Sequence, residues 1–136
     1  METLTEGGII LESILTSIKK LLGITEEYTH FDADLIVHIN SVFTVLNQLG
    51  IGSPEGFAIT GQDEVWTDFI PADTRLELVK SYVYQRVKLL FDPPLNSSVM
   101  EASNRMIDEF EWRLQVASDS INTQQDVKIQ NGTLES

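Results

Sequence analysis

Glu27 and His30 stand three residues apart, the spacing with which helical carboxylate proteins hold paired iron ions. Such a centre needs a second copy of the motif and two further inward carboxylates. The only other histidine, His38, has Leu35 three residues before it, so the two histidines read as a solvated turn and a helix-boundary residue. Asp32 and Asp34 could chelate Mg²⁺ beside a phosphate, but no phosphate-cradling loop accompanies them. The run Gly50-Ile51-Gly52-Ser53-Pro54-Glu55-Gly56 misses the dinucleotide spacing by one residue, contains a proline and an acid, and follows a helical pattern instead of a strand. No Ser/His/Asp set is suggested by position. With no cysteine there is no disulfide, thiolate metal site or cysteine nucleophile. The expectation is a protein that is not an enzyme and uses no metal or cofactor.

Surface chemistry remains. The chain has 136 residues, 9 basic and 21 acidic, a net charge of −12. Such a surface repels phosphates, so direct nucleic-acid binding is disfavoured. Residues 1–74 hold 2 basic and 12 acidic residues, a net −10; residues 75–136 hold 7 and 9, a net −2. One very acidic end can pack against the less acidic end of another copy, a heterologous contact of the kind that closes into rings. Trp66 and Phe69 lie on an acidic connecting segment with no Lys or Arg, and aromatic residues are favoured interface anchors. Trp112 stands at helical spacing from an apolar stripe and reads as core or subunit contact.

Four helices must position these residues. The first is predicted over 8–22, with Leu11, Ile14, Leu15, Ile18, Leu21 and Leu22 on one face. The second covers 33–49, capped by Asp32, with Leu35, Ile39, Val42, Leu46 and Leu49 as its stripe. Both stop at Leu-Gly-Ile, where glycine takes a positive φ and the isoleucine packs back. Residues 51–74 are a long loop or a short β-hairpin, with a hairpin favoured, pairing 57–60 with 65–70 around Gly61. The third helix covers 75–91, opened by a Thr74/Glu77 capping box and stopped by Asp92-Pro93-Pro94. Its stripe is Leu76, Val79, Val83, Val87 and Leu90. It carries Arg75, Lys80, Arg86 and Lys88 against Glu77, the only basic element in the chain. The fourth covers 99–116, capped by Ser98 with Glu101, and buries Met106, Ile107, Phe110 and Leu114. Glu101 with Arg105 and Glu109 with Arg113 are favourable i,i+4 pairs. The fold class is all-α: a small four-helix bundle over 1–117, followed by a flexible polar C-terminal tail over 118–136. No apolar run reaches the ~18 residues of a membrane span, and the N-terminal residues lack the basic region of a secretory signal.

The stretch from His38 through Leu49-Gly50-Ile51-Gly52 resembles the second helix of the tailed-phage head–tail connector, or adaptor, proteins. Phe57-Ala58-Ile59-Thr60-Gly61 and Val65-Trp66-Thr67-Asp68-Phe69 resemble their connecting loop. The most specific likeness runs from Leu78-Val79-Lys80-Ser81-Tyr82-Val83-Tyr84 through Phe91-Asp92-Pro93-Pro94 to Glu109-Phe110-Glu111-Trp112-Arg113-Leu114, which is similar to the DNA-packaging subgroup of phages and prophages of Gram-positive bacteria. The likeness spans roughly residues 10–116.

The resemblance implies a subunit of a ring under the portal protein, which extends the DNA channel and docks the stopper or next tail-completion protein. Its partners are then the portal, that protein, further copies of itself, and double-stranded DNA that passes without specific binding, with no membrane involved. It would reside in the virion after synthesis in the host cytoplasm. Contact residues expected on this reading are Trp66, Phe69, Arg86, Lys88 and Trp112, with Val127 and Ile129 in a tail that orders on the portal. Asp63, Glu64 and Asp68 are expected to line the channel, because like-charged walls let DNA slide. The alternative is an acidic DNA-mimic inhibitor of a host DNA-binding protein, whose carboxylates would be spread over one face.

Overall fold

The computed structural model describes residues 3–4 and 10–135, with side chains described over 12–120. The fold is all-α. Its helices are α1 (Ile14–Leu21), α2 (Asp32–Gln48), a single turn α3 (Trp66–Phe69), α4 (Leu76–Phe91) and α5 (Ser97–Glu135). A two-residue antiparallel pair, β1 (Thr3–Leu4) with β2 (Ile10–Leu11), precedes them. α1 packs on α2, α2 on α4, and α4 on α5.

The periodic apolar residues account for the core. Ile14 and Ile18 of α1, Leu35, Ile39, Val42 and Leu46 of α2, Val79, Val83 and Val87 of α4, and Leu114 of α5 are all at most 1% exposed. Each such side chain contributes roughly 1.5–3 kcal/mol on leaving water. Three residues expected in the stripes are displaced outward: Leu21, Leu90 and Met106 are about half exposed. They sit at the edge of each stripe, where the facing helix no longer covers them.

The helix ends correct several expectations. α1 begins at Ile14, not at residue 8, because Ile10–Leu11 pair as a strand and the Ser13 hydroxyl accepts the Thr16 amide at 3.2 Å. Both Leu-Gly-Ile stops form as expected: Ile24 donates to Lys19 at 2.8 Å and Ile51 to Leu46 at 2.9 Å, with Gly23 and Gly50 at φ +80° and +83°. Asp32 does not cap α2; as the first helical residue it turns its carboxylate to the Lys19 ammonium at 2.8 Å. Asp73, not Thr74, opens α4, accepting the Arg75 amide at 2.8 Å. Asn96, not Ser98, caps α5, accepting the Ser98 amide at 2.8 Å. Asp73 and Asn96 each stand two residues before the amide whose hydrogen they accept, within reach of a side-chain oxygen, whereas α2 has no side-chain cap.

α5 continues past 116 to Glu135. Residues 117–131 contain no proline or glycine, and Ser, Asn, Gln and Asp cost only about 0.5 kcal/mol each relative to Ala. A helix already nucleated and packed therefore propagates through them.

The loop after α2 contains no hairpin among the described residues. Val65 bridges Ser13 instead, and Ile14 donates to the Glu64 carbonyl at 3.0 Å. The loop is held from α2 by Asn40, whose amide group donates to the Ile59 carbonyl at 3.0 Å and accepts the Ile59 amide at 2.8 Å.

Candidate contact surfaces

The aromatic residues of the loop face inward. Trp66 and Phe69 are 3% and 7% exposed, which corrects their expected position on a contact surface. Phe69 lies 4.6 Å from Phe43 and 5.4 Å from Phe57, centroid to centroid. The Trp66 indole donates to the Ser17 hydroxyl at 2.9 Å. The loop places more apolar surface inside than its acidic composition suggests, and its alternation of acid and aromatic residues is the one-turn helix α3 with its capping groups.

Two of the three acids assigned to a channel wall serve that turn. The Glu64 carboxylate accepts the Thr60 amide and hydroxyl at 2.8 and 2.9 Å. Partial burial pushes Glu64 up, but these bonds together with those from backbone amides outweigh it and hold the carboxyl below its ordinary range. Asp68 accepts the Val65 amide at 2.9 Å and so closes the N-terminus of α3. Asp63 is exposed and free of such duty among the described residues.

The cations of α4 are mostly engaged within the chain. Arg75 clasps Asp73 at 2.9 Å, Lys80 meets Glu12 at 3.0 Å, and Arg86 approaches Glu111 at 4.0 Å. Glu111 also accepts the hydroxyl of fully buried Tyr82 at 2.7 Å, which joins α4 to α5. Burial and this bond hold the Tyr82 phenol well above its ordinary range. Lys88 is exposed, with its ammonium 5.8 Å from the centre of the Tyr84 ring.

On α5 the expected contact residue Trp112 is 64% exposed, and Val116 one turn on is 44% exposed. Arg113 pairs with Glu109 beside it. A groove of about 480 Å³ opens at the corner where α4 gives way to α5; Lys88, Leu89, Pro93, Pro94, Leu95 and Val99 are among its walls. The side chains of Val127 and Ile129 lie outside the described residues.

Glu27 and His30 are both exposed, and the His30 ring meets Phe31 edge-on at 4.8 Å. No cluster of three potential metal ligands occurs among the described residues. No helix described is long and apolar enough to cross a membrane.

Sequence reasoning missed the Lys19–Asp32 pair and the Tyr82–Glu111 bond. Lys19 is 2% exposed and also donates to the Glu26 carbonyl at 2.9 Å. Its position in the last turn of a short helix carries no sign of either partner. Partners 13 and 29 residues away leave no local signature.

Compared with known proteins, the chain matches, over residues 14–120, the family described as phage connector protein. No curated protein and no solved structure matches it.

Proposed function

Because this chain belongs to the phage connector protein family, we propose that it is one subunit of a collar under the portal, through which the genome passes. A connector acts between the head and the tail of a virion, and its work lies in contacts with other virion proteins. The observation that carries this reading is the match over residues 14–120, which takes in α1 to α4 and the packed part of α5.

The four longer helices then form a bundle that serves as the wall unit, and the chain makes and breaks no covalent bonds. The portal sits on one side and the stopper or tail-completion protein on the other, with the polar end of α5 reaching for the portal. Asp63, exposed on the acidic loop, is the best-placed of the three acids to face passing DNA. Glu64 and Asp68 keep it there by fixing the loop. The DNA-mimic alternative draws no support from the structure: Asp32, Asp73, Glu64, Asp68 and Glu111 are committed to caps and ion pairs within the chain, not to a phosphate-like array.

Light scattering of purified portal rings, with and without this protein, tests the reading. A mass increase equal to a whole number of subunits per ring is expected. An unchanged portal mass across protein concentrations up to large excess would contradict it.

A further inference from the structure

We propose that copies of this chain join by a knob-and-groove contact, in which Trp112 of one copy seats in the α4–α5 corner groove of the next. This deepens the collar reading and rests on it.

Both halves of the contact are present and unfilled in a single chain. Pro93 and Pro94 end α4 abruptly, so the apolar groups at the corner have no following turn to cover them. Leu95 is fully exposed and Val99 is half exposed. Trp112, the knob, is the most exposed described side chain of α5 among its large apolar residues.

Charge fits the pairing. Arg75, Lys80 and Arg86 each have a carboxylate of their own chain within 4.0 Å, whereas Lys88, on the groove wall, has none among the described residues. Asp108, one turn before Trp112 and on its side of α5, is exposed and likewise has no cation partner there. An aromatic ring and an unpaired carboxylate one turn apart thus meet an apolar wall and an unpaired ammonium. Asp92 also lines the groove, so the match is carried by Lys88 with Asp108 and not by the groove's net charge.

A chain cannot fill its own groove. From Val99 to Trp112 the helix advances about 20 Å and turns the side chain about 140° away. The contact therefore joins two copies through different surfaces, the arrangement that closes into rings or runs on as filaments. A buried tryptophan is the usual anchor of such contacts.

The chain has no cysteine, so thiols can be placed one at a time. Copies carrying Val116→Cys, one turn past Trp112 with the ring left in place, are mixed with copies carrying Leu95→Cys under mild oxidation, alone and with portal rings, with Val37→Cys, an exposed position on α2, replacing Leu95→Cys as control. The Val116–Leu95 pair is expected to give about fivefold more mixed disulfide dimer than the control, because docking raises the effective concentration of the two thiols, and adding Trp112→Ala to the Val116→Cys copy is expected to remove that excess. Assembly of the unsubstituted protein is followed in parallel by light scattering, alone and with portal rings. If copies assemble and the pair gives no excess over control, the contact assignment is overturned and the collar reading stands. If neither assembly nor excess disulfide is found, both are overturned.

Discussion

The Trp66 indole donates to the Ser17 hydroxyl at 2.9 Å, joining α1 to a loop 49 residues away. Ser17 passes the bond on to the Ile14 carbonyl at 3.0 Å. The long loop is therefore part of the core, and its stability is that of the helices. Trp66→Phe keeps the packing and removes the donor, and should cost about 1 kcal/mol in urea unfolding. Trp66→Ala should cost about 3–5 kcal/mol. Equal losses for the two variants would show that the hydrogen bond, not the ring, anchors the loop.

Gly52 and Gly56 separate two reasons for glycine. Both have φ near +87°. A Cβ on Gly52 would lie 2.6 Å from the Phe69 ring, whereas one on Gly56 would meet nothing within 4 Å. Gly56→Ala should cost about 1 kcal/mol, the left-handed penalty alone. Gly52→Ala should cost about 2–4 kcal/mol, because overpacking adds to it. Thermal unfolding of the two variants side by side measures the difference.

Lys19 is more deeply buried than its partner Asp32, at 3% against 26% side-chain exposure. Removing the acid leaves the buried ammonium with only the Glu26 carbonyl, while removing the lysine leaves an acid whose side chain is a quarter exposed. Asp32→Ala should thus cost about 2–3 kcal/mol and Lys19→Met less than half of that. The reverse order in denaturant midpoints would contradict the burial argument.

Asp73 holds the start of α4 through the Arg75 side chain, chiefly by hydrogen bonds that lower its carboxyl below the ordinary aspartate value of 3.8. A depressed folded value favours the folded state above the unfolded value, and the benefit disappears as pH falls through the folded one. Stability should therefore decline below about pH 4, and Asp73→Asn should flatten that decline while lowering stability at neutral pH. Unfolding midpoints at pH 3, 4 and 7 provide the check.

The helical stripes and both Leu-Gly-Ile stops were legible in the sequence because they depend on neighbours within one turn. Two caps were legible in kind but displaced, to Asp73 and Asn96, which accept amides two residues on, while Asp32 was drawn from capping by its tertiary contact with Lys19. Trp66 and Phe69 were misplaced outward because the loop's acids suggested a solvated segment; their burial depends on Phe43 and Ser17, far off in the chain. Trp112 was left between core and contact by its spacing, and only the three-dimensional packing of Ile107 and Leu114 turns it outward. The polar residues after Ala117 gave no periodic signal, yet nothing in them breaks a helix already under way.

Trp112→Ala should leave the unfolding midpoint of the isolated protein within about 0.5 kcal/mol of the parent, because the ring is exposed. The same change should weaken association between copies. A large loss of stability would place the ring in the core instead.

Electron cryomicroscopy of the complete virion tests the central claim most directly. The account predicts a collar of repeated density beneath the portal into which α1, α2, α4 and α5 fit, with the Asp63 loop towards the channel. A virion whose portal joins the tail with no such layer, or a layer whose helices cannot be traced by this chain, would contradict it.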